Sequence, residues 1–295
     1  MSLVRRKRPL WAPTMAVTGW GESTFAEQAW DKSRNAGTRW AVAGALLGML
    51  VAFVVFAPAV WLAGFVASAT NQRVLLSDAR GTIWSGTAVP ILTGGTDSRD
   101  ATALAGRLQW SLIPKGLHFE LRLRHDCCLN NPVVLQLRPG LGRIAATLVP
   151  PSGGWVGQWP TAWLGGLGTP WNTMQLGGAV RLATPGFTLQ SVQGRLQLDG
   201  RVDLELLNVS SRVTTLETLG SYRLSVAGTP EGGPMRLELS TQEGALQLSG
   251  SGTWGPGGVR FRGEARAAEG DEAALANLLN IIGRREGARS VISIG

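Results

Sequence analysis

Between Arg39 and Arg73 the chain carries no charged residue, and the stretch from Trp40 to Gln72 reads WAVAGALLGMLVAFVVFAPAVWLAGFVASATNQ. A helix needs about 20 apolar residues to cross the hydrocarbon core of a bilayer, and this run supplies them from about Ala41 to Val66. No other feature constrains the fold as much, because everything before and after the run must then lie on one side of the membrane or the other. Trp40 and Trp61 stand near the positions of an aromatic belt. Pro58 is expected to kink the helix, which neighbouring groups in a membrane accommodate. A cleaved signal peptide fits less well, since its apolar core runs to about 7–15 residues and its leader is short. A buried helix of a soluble core fits less well still.

Charge sets the expected orientation. Residues 1–39 hold seven Lys/Arg against three Asp/Glu, which is half of the formal charge of +8. The basic run Arg5–Arg8, then Lys32, Arg34 and Arg39, precede the span, whereas only Arg73 and Arg80 follow it closely. Positive charge stays on the cytoplasmic side. The reading is therefore a basic, disordered cytoplasmic leader over 1–39, a transmembrane helix over 40–70 and a periplasmic domain over 71–295 in a bacterial inner membrane. Beyond the leader, basic residues alternate with acids along strands, so no nucleic-acid partner is expected.

The exported part reads as β. In Arg195–Leu206, RLQLDGRVDLEL, Leu196, Leu198, Val202, Leu204 and Leu206 share one face, and Arg195, Gln197, Asp199, Arg201, Asp203 and Glu205 share the other. Alternation at period two over that length means one dry and one wet face, with Gly200 allowing a bend or bulge. The pattern recurs at 106–112, 117–125, 132–138, 222–228, 235–240, 245–252 and 259–266, separated by turns rich in Gly and Pro such as 227–234 and 253–258. The expected fold class is mostly β: a curved antiparallel sheet or incomplete barrel with short helices. Helical patches are expected at Pro160–Gly168 and Asp271–Gly283, with Asp271 capping the second and Gly283 ending it. Each is followed by a strand, which suggests two repeats, about 73–182 and 183–295. The closing segment, Ser290–Ile294, is expected to pair in the sheet.

Several of these stretches resemble the type II secretion system protein N family. They are DARGTIWSGTA (Asp78–Ala88), LQWSLIP (Leu108–Pro114), GTPWNTMQLGGAVRL (Gly168–Leu182) and LLNIIGRREGARSVISIG (Leu278–Gly295), set after a single N-terminal span. The resemblance covers about Leu46 to Gly295. It implies a non-enzymatic inner-membrane subunit of the apparatus that exports folded proteins across the outer membrane, with other type II secretion subunits as partners. The family is similar in turn to the AsmA-like group, whose curved sheets carry an apolar groove. That similarity implies an alternative: a periplasmic lipid-binding or lipid-transfer module.

Catalytic chemistry is largely missing from the sequence. The two histidines, His118 and His125, differ by seven positions in one strand and so face opposite ways, which argues against a shared metal site despite Glu120, Asp126, Cys127 and Cys128 nearby. No nucleophile elbow, Walker loop or dinucleotide fingerprint occurs, so no cofactor, metal or catalytic residue is assigned. Cys127 and Cys128 are the only cysteines. They are read either as two thiols at a strand edge or turn, or as a vicinal disulfide in a loop. Trp155, Trp159, Trp163 and Trp171 are read either as a plug for one open end of the sheet or as a surface for a partner or lipid headgroup.

Overall fold

The computed structural model describes residues 20–192, 195–228 and 233–295. The Arg5–Arg8 run lies outside the described residues, as do the side chain of Leu196 and the middle of the 227–234 turn. The chain divides into two compact units, Met1–Val55 and Phe56–Gly295.

The first unit is one helix, α1, Trp20–Val55. Its portion Gly37–Val55 is 19 residues long, with a mean hydropathy of 1.8, long and apolar enough to cross a membrane. Leu46, Leu47 and Leu50 are exposed along it. The helix reaches back to Trp20, where irregular chain was expected; the segment FAEQAWDK is rich in good helix formers, which continue a helix once it is nucleated.

The second unit starts where the helix breaks. A single kinked helix was expected across 40–70, but α1 ends at Val55 and α2 runs from Ala59 to Ala69. Pro58 lacks an N–H and pushes the residue before it out of helical geometry. The freed backbone joins the sheet instead: the Ala57 carbonyl accepts Ile83 N–H at 2.9 Å, and Pro58 bridges Thr82.

The described strands form one 16-stranded antiparallel sheet that is not closed into a barrel. They are β1 (Val74–Gly81), β2 (Ser85–Thr93), β3 (Ala101–Ala103), β4 (Leu108–Lys115), β5 (His118–His125), β6 (Val133–Gly140), β7 (Arg143–Leu148), β8 (Trp155–Pro160), β9 (Leu176–Val192), β10 (Arg195–Ser211), β11 (Gly220–Ala227), β12 (Met235–Glu243), β13 (Leu246–Gly255), β14 (Gly258–Ala267), β15 (Arg284–Glu286) and β16 (Arg289–Ile294). Most neighbours in sequence are neighbours in the sheet, and β1 and β15 end the path. The centre is the 17-residue pair β9 and β10. One end of β9 pairs with β7 and the other with β8. Between β9 and β10 the register slips near Arg201, where Gly200 takes φ +107 and its Cα hydrogen faces Gly186 O so closely that a Cβ would sit 2.7 Å from it.

Helical elements lie between strands in two places. A 3-10 helix, Thr161–Leu167, and the single turn α3, Trp171–Met174, precede β9. The second, α4 (Glu272–Ile282), precedes β15 and β16. Leu275, Leu278 and Leu279 of α4 are 1% exposed or less and pack with Tyr222, Leu246 and Ala265 of the sheet in the main core. Two local expectations about α4 are corrected. Asp271 occupies the N-cap position without a capping side-chain hydrogen bond, and it is Glu272 that accepts Gly270 N–H. Gly283 is extended rather than left-handed, and its smallness serves close approach: a Cβ there would lie 2.4 Å from Val291 O.

The closing segment pairs as expected, with β16 against β14, but it is not the edge. The three exposed charged residues of β15 cover its other side. A short charged strand is a poor template for further pairing. Ser290 is fully buried, and its hydroxyl donates to Leu279 O at 2.6 Å, tying β16 to α4.

Candidate functional site

The cross-strand register places one apolar residue opposite another from β4 to β16. Leu112 faces Leu121, which faces Leu135, which faces Leu148, which faces Phe187. In the second half Val202 faces Val226, which faces Leu237; beyond it Gly252 faces Phe261 and Phe261 faces Ile294. Directly opposed residues in an antiparallel pair point to the same side, so the dry face is continuous across the sheet. Much of it is only half-buried, including Leu112, Leu121, Leu135, Val202 and Leu204. The opposite face of the last strands carries Arg236, Glu238, Ser251, Arg262 and Glu264, which line shallow clefts together with apolar side chains such as Leu237 and Phe261.

A corner at the start of the sheet joins two of the stretches singled out in the sequence. Asp78 has φ 49, and the register between β1 and β2 slips just after Ser77. Its carboxylate takes ion pairs from Arg107 at 2.7 Å and Arg80 at 2.9 Å. The Arg107 and then the Arg80 guanidinium hold it below the ordinary carboxylate value. Trp110 comes from LQWSLIP, and its indole N–H donates to Thr82 O at 3.2 Å. Its ring lies where a Cβ on Gly86 would sit, 2.5 Å away. With Ala59 of α2 and Ala88 it forms a second core cluster, each 4% exposed or less. Both stretches therefore build a corner that seats α2. Thr82, inside the first stretch, and Arg107, just before the second, complete it, and neither was singled out in the sequence.

On β5, Glu120 is buried between Lys115 Nζ at 2.6 Å and Arg122 Nε at 2.5 Å. The Lys115 ammonium, then Arg122, hold its carboxyl below the usual range. His118 pairs with Lys115 at one end of the strand, while His125 pairs with Leu108 at the other, on the apolar face. His125 is buried, and burial pushes its imidazole value down, against a smaller opposing pull from Asp126. Of the two readings of the cysteines, the structure carries the bonded one: Cys127 and Cys128 form a vicinal disulfide. His125 and the two sulfurs have their donor atoms within 4.8 Å of one another. The seven-residue spacing separates His118 from this group, and what brings His125 to the cysteines is the turn after β5, which strand parity does not describe.

The four clustered tryptophans are half-buried. Trp171 packs on the main core, and the Arg181 guanidinium lies 5.4 Å above the Trp155 ring. Gly166 of the 3-10 helix sits flush on the sheet, where a Cβ would be 2.3 Å from Leu92 O. Of the four, Trp171 is thus a packing residue.

Comparison with known families finds a match over residues 72–293 to the family described as type II secretion system (T2SS), protein N. Neither the curated proteins nor the solved structures gave a match.

Proposed function

Because the chain belongs to the type II secretion system protein N family, and so is a component of that system, we propose that it is a single-pass accessory and structural subunit of the inner membrane. Its N-terminus lies in the cytoplasm and its sheet in the periplasm, where it supports export across the outer membrane without catalysing a reaction. The observation that carries the reading is the order of parts: one span at Gly37–Val55, then the family-matched sheet from 72 onward. The positive-inside rule gives the orientation. A phosphatase fused at Gly295 is expected to be active and one fused at Lys32 inactive; the reverse pattern overturns the topology. Affinity purification of the membrane-extracted chain should bring other type II secretion subunits with it, and a chain recovered alone would count against the subunit role.

A second reading, a lipid-binding module, is favoured by one observation: Leu112, Leu121, Leu135 and Leu137 of the apolar face in β4–β6 remain half-exposed. Mass spectrometry of the chain, extracted in polymer nanodiscs and then stripped of annular lipid, separates the two. A lipid retained in fixed proportion supports the second reading; its absence leaves the structural subunit.

A further inference from the structure

We propose that the reduced Cys127–Cys128 pair and His125 together form a binding site for one thiophilic divalent cation, such as Zn2+. The inference stands independently of the secretion role.

The first observation is proximity. Among the described residues, His125 and the two sulfurs bring their donor atoms within 4.8 Å of one another. The second is an unpartnered ring. His125 is 4% exposed, and both of its nitrogens are buried with no hydrogen-bond partner among the described residues. It sits on the apolar face of β5 with Phe119, Leu121 and Leu123, where an imidazole left unpaired is costly. A ligand that accepts a nitrogen lone pair would satisfy one of the two nitrogens and remove part of that cost.

The backbone around the group is fixed from two sides. Cys128 N and Leu129 N both donate to His125 O, at 3.3 and 3.2 Å, which closes the turn after β5. Across the turn, Gln158 N donates to Cys128 O at 2.8 Å, and Asn130 N donates to Val156 O at 3.3 Å. Gly157 permits this approach, since a Cβ there would lie 2.5 Å from Cys128 O. Cys128 is buried and Cys127 exposed, so one sulfur is open to an attacking thiolate.

The chemistry balances with a dithiol reductant. Its thiolate attacks the Cys127 sulfur and displaces Cys128; its second thiol then resolves the mixed disulfide. Two electrons and two protons pass to the protein, and the reductant leaves as a disulfide. Binding of the cation then releases the two thiol protons, leaving two thiolates and an imidazole as ligands. That donor set suits zinc, with the fourth position open to water. The disulfide form has no thiolate and does not bind.

Cobalt tests the site in the detergent-solubilised full chain. Since the chain has two cysteines and two histidines, a thiolate-to-cobalt charge-transfer band can come only from this pair. The chain reduced with a small dithiol and desalted anaerobically should develop that band and saturate at one Co2+ per chain, with bleaching by Zn2+. The oxidised chain should show none. H125Q should weaken cobalt binding by about tenfold or more, and H118Q should leave it unchanged. A reduced chain without the band, equal binding by the oxidised chain, or an H125Q titration that matches the unmodified one overturns the proposal. Zinc-edge X-ray absorption of the unmodified reduced chain needs no variant. It should show imidazole scattering beside sulfur, and sulfur alone would remove His125 from the site.

Discussion

In the second half of the sheet the apolar face meets α4 along its length; in the first half α2 covers only the corner around Trp110 and Ala88, with Leu121 and Leu123 at its margin. Against α4, Tyr222, Leu246 and Ala265 are each 3% exposed or less, and the three leucines of α4 are sealed with them. Across β4–β7, Leu112, Leu121, Leu135 and Leu137 present the same chemistry on the same face and remain half-buried. Both halves follow a helical patch with a strand, but the patches differ. Glu272–Ile282 repeats leucine at helical spacing and forms three turns. Thr161–Leu167 holds Gly165 and Gly166, favours the tighter 3-10 form, and lies against β2 and β3 instead of the open strands. Alternation in a strand says which face must be dry, whereas the neighbouring helix decides how dry it becomes.

The largest expected effect comes from removing the tie that holds this cover in place. Deleting Ser290–Gly295 takes away β16 and with it the seat of β15 and the Ser290 hydrogen bond to α4. The expected loss is on the order of 5 kcal/mol, a large part of a typical domain's margin of about 5–15 kcal/mol. Hydrogen exchange should show protection vanishing from β14 and α4 before β5 and β6 are affected. A truncated chain that melts like the full one would mean the cover does not depend on β16.

A paired substitution sharpens the contrast. Leu279→Ala, in the sealed core, should cost about 2–5 kcal/mol in urea unfolding. Leu135→Ala, on the open face, should cost roughly 1 kcal/mol or less, because its side chain never leaves water fully. Equal losses would erase the distinction between the halves.

Acid should attack the first half preferentially, since Asp78, Glu120 and His125 all lie there. The folded value of His125 is depressed below 6.5, so the unfolded chain takes up the proton first. Its contribution is complete above pH 6.5 and is lost as pH falls through the folded value. Asp78 and Glu120 are depressed below 3.8 and 4.5, so their contributions are present above those values and disappear at lower pH. Chemical unfolding followed from pH 7.5 to 3.5 should therefore show stability falling in two stages. H125Q should flatten the upper stage and E120Q the lower one. A wild-type curve that stays level from 7.5 to 5 would contradict the first assignment. Hydrogen exchange, corrected for its intrinsic pH dependence, should locate the early loss in β5 and not in α4.

The smallest effect concerns a single atom in the sealed half. The Tyr222 hydroxyl is buried without a hydrogen-bond partner among the described residues, and burial raises its pKa. Tyr222→Phe should leave thermal stability unchanged or raise it by up to about 1 kcal/mol. A clear loss would reveal a bond to the hydroxyl and weaken the picture of a dry core.

Much of the architecture was legible from short-range pattern. The strand pattern at 117–125 emerges as His118–His125, and that at 235–240 as Met235–Glu243, because alternation of Leu with Arg and Glu leaves a pleated chain only one way to bury its leucines. Strands with weaker alternation, such as Arg143–Leu148 with its paired alanines, carried no comparable signal. The helix break at Pro58 was readable as a kink, but not as a handover of Ala57 to the sheet. The cysteines' proximity to His125 was visible as spacing, yet the turn that folds them onto the ring was not.

By itself the sequence determined the apolar helix, the antiparallel β character and which residues of the recognised strands face the same way. These follow from local sterics and from the period of each element, and residues a few positions apart already specify them. Only the tertiary structure decided that β9 serves both β7 and β8, that α4 seals one part of the apolar face while Leu112, Leu121 and Leu135 elsewhere on it stay half-buried, and that an imidazole without a partner among the described residues meets two adjacent sulfurs. Those outcomes depend on pairings between distant segments, where register, bulges and the space left by glycines select one arrangement among several with the same local pattern.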